Sequence, residues 1–164
     1  MEWIQQFLGW NPDQAPPLSG LIVHEGGDYL ISSAYMSRGD GAVRDSDGQS
    51  FSEPPLLNTT LFHHYIPLSV SWITAGWNLE SLGCIKEALM TGGAVATCIY
   101  SSSAYMSDEF IHYQPESATE SPTHAVAIVG WNDTLETQAH EPGAWLCRNS
   151  WGELWGLEGY FWVS

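Results

Sequence analysis

Basic residues are scarce in this chain. Arg38, Arg44, Lys86 and Arg148 stand against 19 carboxylates, giving a formal charge of −15. A surface so short of positive charge makes nucleic acid a poor partner, because phosphate neutralisation supplies most of the affinity in such complexes. The acidic balance itself reads as a solvated surface rather than a site. Cysteine is also sparse. Cys84, Cys98 and Cys147 form no C-x-x-C pair and cannot all be bridged within one chain, which argues against a disulfide framework. Apolar runs are short, and none approaches the roughly 20 residues of a membrane-spanning helix. The start, Met1-Glu2-Trp3-Ile4-Gln5-Gln6, has no basic residue and no apolar centre, so no signal peptide is visible. The reading is a soluble chain of unknown compartment, extracellular only if the natural start lies upstream.

The composition is that of a folded protein. Apolar residues make up 44% of the chain and aromatics 13%, well above the disordered range. With 164 residues, one core can be buried but two would be strained, so a single domain is expected. Asp28 can cap a helix running to about Arg38, with Gly39 as the stop. Leu61 to Ile73 is rich in β-branched and aromatic residues and predicts an extended strand broken by Pro67 near an edge. A helix then starts at Asn78 or Ser81 and ends at Gly92-Gly93. From there strands dominate: Ala94 to Tyr100, Thr123 to Trp131, Ala144 to Arg148 and Gly159 to Val163. The linkers Ser101 to Pro122 and Asn132 to Gly143 are polar and read as surface loops. The expected architecture is α+β, an antiparallel sheet or partial barrel with helices.

The chemistry is concentrated at the end of the chain. Thr123-His124-Ala125-Val126-Ala127-Ile128-Val129-Gly130-Trp131 is followed by Cys147-Arg148-Asn149-Ser150-Trp151-Gly152, then Trp155-Gly156 and Gly159-Tyr160-Phe161-Trp162. A histidine opening one strand, an asparagine closing the next and an indole two residues later can fix an imidazole's tautomer, orientation and solvation. In that order these motifs resemble the papain-like cysteine peptidases. Among them the pattern leans towards prokaryotic members. The resemblance covers roughly residues 25–164, the β-rich lobe of that fold and part of its helical lobe. It implies an N-terminally truncated peptidase domain, with 1–24 an irregular lead, 25–60 a remnant of the helical lobe and 61–164 the β-rich lobe.

Carried over residue by residue, the resemblance implies that His124 is the general base and acid and that Asn149 holds its ring. Trp151 would keep water from that bond, with Trp155 packed beside it. Gly26 and Gly27, in Glu25-Gly26-Gly27-Asp28-Tyr29, would present backbone to an extended peptide substrate. The nucleophile is missing. The family sets its cysteine in a C-G-[SA]-C-[WY] context about 130–150 residues before the histidine, and counting back from His124 passes Met1. Cys84 sits in a helical segment whose apolar face is traced by Leu82, Ile85 and Leu89, while Cys98 and Cys147 fall in apolar strands as small hydrophobes. The upstream glutamine of an oxyanion hole is missing too.

The expectation is therefore a peptidase domain without its nucleophile, inactive alone, acting on peptide or protein substrates once a preceding segment or a separate chain supplies the cysteine. The alternative is a non-catalytic papain-fold protein that binds or scaffolds peptides. No cofactor is implied and no metal: His63 and His64 point to opposite faces of a strand, and with His24 and His112 they meet no ligand spacing. The nine tryptophans and seven tyrosines could suit a carbohydrate face. However, Trp131, Trp151, Trp155 and Trp162 already belong to the peptidase-like strands. Asn58 and Asn132 begin N-x-T sequons, which matter only on export. A lobe stripped of its neighbour should expose apolar surface, making the isolated chain marginally stable, oligomeric or prone to aggregate.

Overall fold

A computed structural model of the protein describes residues 29–37, 67–74 and 80–164. The chain divides into two units, Met1–Trp72 and Ile73–Ser164. In the first, helix α1 spans Tyr29–Ser37, within the predicted helix. Asp28 and the glycine pair Gly26-Gly27 lie outside the described residues. The strand predicted over Leu61 to Ile73 falls partly outside them as well. Its described portion, from Pro67, forms no strand, and Leu68, Val70 and Trp72 are exposed. A β-rich composition needs a partner to become a strand, and Pro67 offers no amide to a ladder.

Among the described residues, the second unit carries a helix against a five-stranded sheet. Helix α2, Glu80–Gly92, ends as its sequence requires: Gly93 has φ of 85° and donates its N–H to the Leu89 carbonyl at 2.9 Å, the left-handed stop that glycine makes without strain. The strands are β1 (Val95–Ile99), β2 (Ile111–His112), β3 (His124–Asn132), β4 (Ala144–Arg148) and β5 (Tyr160–Val163), in the order β1-β3-β4-β5-β2. Four of these follow the predicted strands to within a residue or so. β2 lies in a segment whose sequence predicts loop, and the structure corrects that expectation. It adds parallel to β5, pairing Ile111 with Trp162 and His112 with Val163, so the sheet is mixed rather than wholly antiparallel. A 3-10 turn, Ser103–Tyr105, lies in the same predicted loop and is capped by the Ser102 hydroxyl, which accepts from the Ala104 amide.

Period-two alternation sends Val126 and Ile128 of β3 to one face, where they meet Cys147, Phe161 and Leu89 of α2 in the core. Ile85, Val95, Ile99, Trp145 and Val163 pack around that cluster. Lys86 ties the helix to the β3 end through an ion pair with Asp133 at 2.6 Å and a position 5.4 Å from the Trp131 ring centre. No helix among the described residues is long and apolar enough to cross a membrane.

Cys147 is 1% exposed, and burial pushes its thiol up to about 12. Iodoacetamide near pH 8 should therefore label exposed Cys84 and Cys98 and spare Cys147 until the chain is unfolded, as peptide mass mapping would read. The sign is fixed. Folding favours the protonated thiol, so this group's stabilisation is intact below its ordinary value of 9.0 and is lost as pH rises from there towards about 12.

Candidate active site

His124 opens β3, and Asn149 follows the last residue of β4. The β3–β4 register pairs Ala127 with Arg148, so Asn149 emerges on the face shared by Val126 and His124. Its side chain reaches the imidazole: His124 Nε2 and Asn149 Oδ1 are 2.8 Å apart. The Ser150 amide also donates to that Oδ1 at 2.8 Å, which identifies the atom as an acceptor. An acceptor there requires a proton on Nε2, leaving the lone pair on Nδ1. The geometry thus selects the tautomer whose Nδ1 can take a proton from an incoming group.

Asn149 is 6% exposed, and its main-chain N–H donates to the Gly159 carbonyl at 2.9 Å. Such a buried amide holds its orientation because unmaking its bonds would strand polar atoms away from water. Trp151 stacks on the imidazole, with ring centres 4.9 Å apart and planes 30° from parallel. Trp155 meets Trp151 edge-on at 4.9 Å and Phe161 edge-on at 5.3 Å. An unbroken aromatic path therefore runs from the half-exposed Trp151, over the histidine, into the core.

The tight turn beneath this path needs glycine. Gly156 has φ of 63°, and a Cβ there would collide with the Tyr160 carbonyl oxygen.

Four of the six residues singled out from sequence are thus brought together: His124, Asn149, Trp151 and Trp155. Gly26 and Gly27 fall outside the described residues. Sequence reasoning missed Phe110, which lies in the predicted loop and meets Trp155 edge-on at 5.7 Å. Phe110 itself sits at φ of 58° just before β2, and its carbonyl accepts from the Trp162 amide at 2.9 Å. Phe110 and Ile111 form a two-residue apolar step after Ser107-Asp108-Glu109, too short to carry a periodic signal.

Cys98 pairs with Ala125 and so lies on the sheet face opposite His124; Cys147 is buried; Cys84 is on the exposed side of α2. Among the described residues, no group of three or more His, Cys, Asp or Glu side chains could hold a metal. His112 is 2% exposed, its Nε2–H donates to the Tyr100 carbonyl at 2.9 Å, and burial lowers its pKa.

Comparison with known proteins gives a consistent result. The family model described as "Papain family cysteine protease" matches residues 74–164, more than half of the chain. A "Cathepsin L-like peptidase" of Aedes aegypti is 36% identical over 78 residues, which is 46% of this chain and 22% of that protein. "Serine-repeat antigen protein 5" of Plasmodium falciparum is 36% identical over 82 residues, 49% of this chain and 8% of that protein. Among solved structures, a clostridial cysteine protease after propeptide cleavage superposes with a TM-score of 0.61 at 23% identity, covering 85% of this chain and 36% of that one. Digestive procathepsin L 3 of the Tenebrio molitor larval midgut gives 0.56 at 21%, covering 84% and 43%. At such identities the superpositions show the fold. The chain spans a quarter or less of these curated relatives' length. Both curated relatives are eukaryotic, and the expected leaning towards prokaryotic members is not supported.

Proposed function

The chain belongs to the papain family of cysteine proteases, and on that footing we propose that it is the histidine-bearing part of a peptidase whose cysteine comes from polypeptide outside these 164 residues. The observation that carries this reading is the His124–Asn149 hydrogen bond beneath the Trp151 indole. A protein that only bound peptides would have no use for a buried amide that fixes one imidazole tautomer.

In this mechanism His124 Nδ1 takes the proton of the incoming thiol. A free thiol has a pKa of about 8.5, which a neighbouring imidazolium and a helix N-terminus lower by several units. The thiolate then attacks the scissile carbonyl carbon. The C–N bond breaks as His124 returns its proton to the departing amine, leaving an acyl thioester. Water, deprotonated by His124, hydrolyses the thioester and restores the thiol. Asn149 holds the ring through both proton transfers without adding charge, and Trp151 keeps solvent from competing for its oxygen. Gly26 and Gly27 present backbone to the substrate. Residues 1–24, 25–60 and 61–164 form the lead, the helical-lobe remnant and the β-rich lobe of one domain. The remaining helical lobe, on the same polypeptide or on a separate chain, brings the cysteine and an oxyanion-hole glutamine.

The native transcript upstream of Met1 tests this. An in-frame glutamine followed shortly by a cysteine and an aromatic residue is expected. Unrelated upstream sequence, together with no second chain in the same organism that confers hydrolysis, would overturn the proposal.

A further inference from the structure

Arg148 stands one residue before Asn149 and has no part in the chemistry above. Its Nη1–H donates to the main-chain carbonyl of Glu158 at 2.9 Å, and its guanidinium lies 4.6 Å from the centre of the Tyr160 ring. The carbonyl it grips belongs to a residue with φ of 56°, a region that non-glycine residues seldom occupy unless their surroundings hold them there. The next residue, Gly159, has φ of 88°. A Cβ on it would lie 2.9 Å from Arg148 Nη1 and 3.1 Å from the Gly152 carbonyl oxygen.

Three things therefore meet at one point: the guanidinium, the outgoing limb of the 149–159 loop at Gly152, and its returning limb at Glu158 and Gly159. The Asn149 N–H to Gly159 carbonyl bond, 2.9 Å long, crosses the same neck. Beyond the neck, the loop holds Trp151 against His124, and Trp155, whose carbonyl accepts from the Gly159 amide at 2.6 Å.

We infer that Arg148 is a positioning residue, a latch across the neck of this loop that holds the Asn149 amide beside the imidazole and the Trp151 indole over it while touching neither His124 nor substrate. Arginine suits the task better than lysine because one planar group can donate to a carbonyl and lie flat on a phenol ring together. The inference rests on His124 and Asn149 being the base and its orienting partner, but its test does not use catalysis.

The test is imidazole NMR of the 164-residue chain, with the His124 Nε2–H signal identified by its loss in His124→Gln and the unlatched state calibrated by Asn149→Ala. Arg148→Met keeps the length and removes the donors. Its His124 Nε2–H should exchange with solvent at least about tenfold faster and share its proton with Nδ1, while amides of the β1–β3 ladder keep their protection. Arg148→Lys should fall between the two. Gly159→Ala, which drives a Cβ into the guanidinium, should resemble Arg148→Met.

Unchanged His124 exchange and tautomer in Arg148→Met, with the ladder intact, would overturn the inference. If Arg148→Met fails to fold, Arg148→Lys and Gly159→Ala decide, and wild-type imidazole spectra in both would overturn it. Failure of the peptidase reading shows elsewhere, as hydrolysis that survives loss of His124, and leaves these spectra as they are.

Discussion

Replacing His124 by alanine lowers kcat/KM for peptide hydrolysis by about 10²–10⁴-fold in the enzyme assembled with its cysteine-bearing segment, the range that positioned proton transfer supplies. The loss should fall mainly on kcat, because the imidazole acts on protons in flight rather than on ground-state binding. Asn149→Ala should cost less and change the pH profile. Without the amide, the Nε2–H of His124 loses the acceptor 2.8 Å away, and the ring is free to present either nitrogen to the thiol. Steady-state kinetics on a chromogenic peptide across a pH series would check both. An alanine variant within a few-fold of wild type would remove His124 from the mechanism.

The largest expected effect on stability is at Phe161. Its side chain is 1% exposed and forms the wall on which Trp155 rests edge-on, within a cluster that includes Val126, Ile128, Cys147 and Leu89. Phe161→Ala should cost about 3–5 kcal/mol. Domains of this size hold only about 5–15 kcal/mol in total. The urea midpoint should drop accordingly, and the indole over His124 should loosen because Trp155 loses its backing. Leu154→Ala is the contrast. That side chain is fully exposed, and its truncation should change stability by no more than about 0.5 kcal/mol. Equal midpoint shifts for the two variants would contradict this account of the core.

The site was legible because its chemistry sits in contiguous motifs that two neighbouring strands bring together. Once Thr123 to Trp131 and Ala144 to Arg148 are strands, an antiparallel pairing is enough to set Asn149 beside His124. The glycines of the Trp155-Gly156 and Gly159-Tyr160 pairs were legible as motif letters. Their reasons, a carbonyl at Gly156 and a guanidinium at Gly159, come only from three dimensions.

Strand β2 was hidden for a different reason. Two residues inside a polar segment carry no periodicity, and what makes them a strand is a parallel partner far along the chain, Trp162 and Val163. Pro67 to Ile73 failed in the opposite sense, with strand-like residues but no ladder among the described elements. Arg148 counted in the sequence only as one of four bases, because its contact with Glu158 depends on a turn whose φ values no propensity reports.

The most direct test is peptide hydrolysis by the purified 164-residue chain, measured alone and after addition of the cysteine-bearing segment, before and after thiol alkylation. The expected result is no turnover from the chain alone, whatever the state of Cys84 and Cys98, and alkylation-sensitive turnover once the segment is supplied. Hydrolysis by the chain alone, abolished when Cys84 or Cys98 is replaced by serine, would place the nucleophile within these residues and contradict the account.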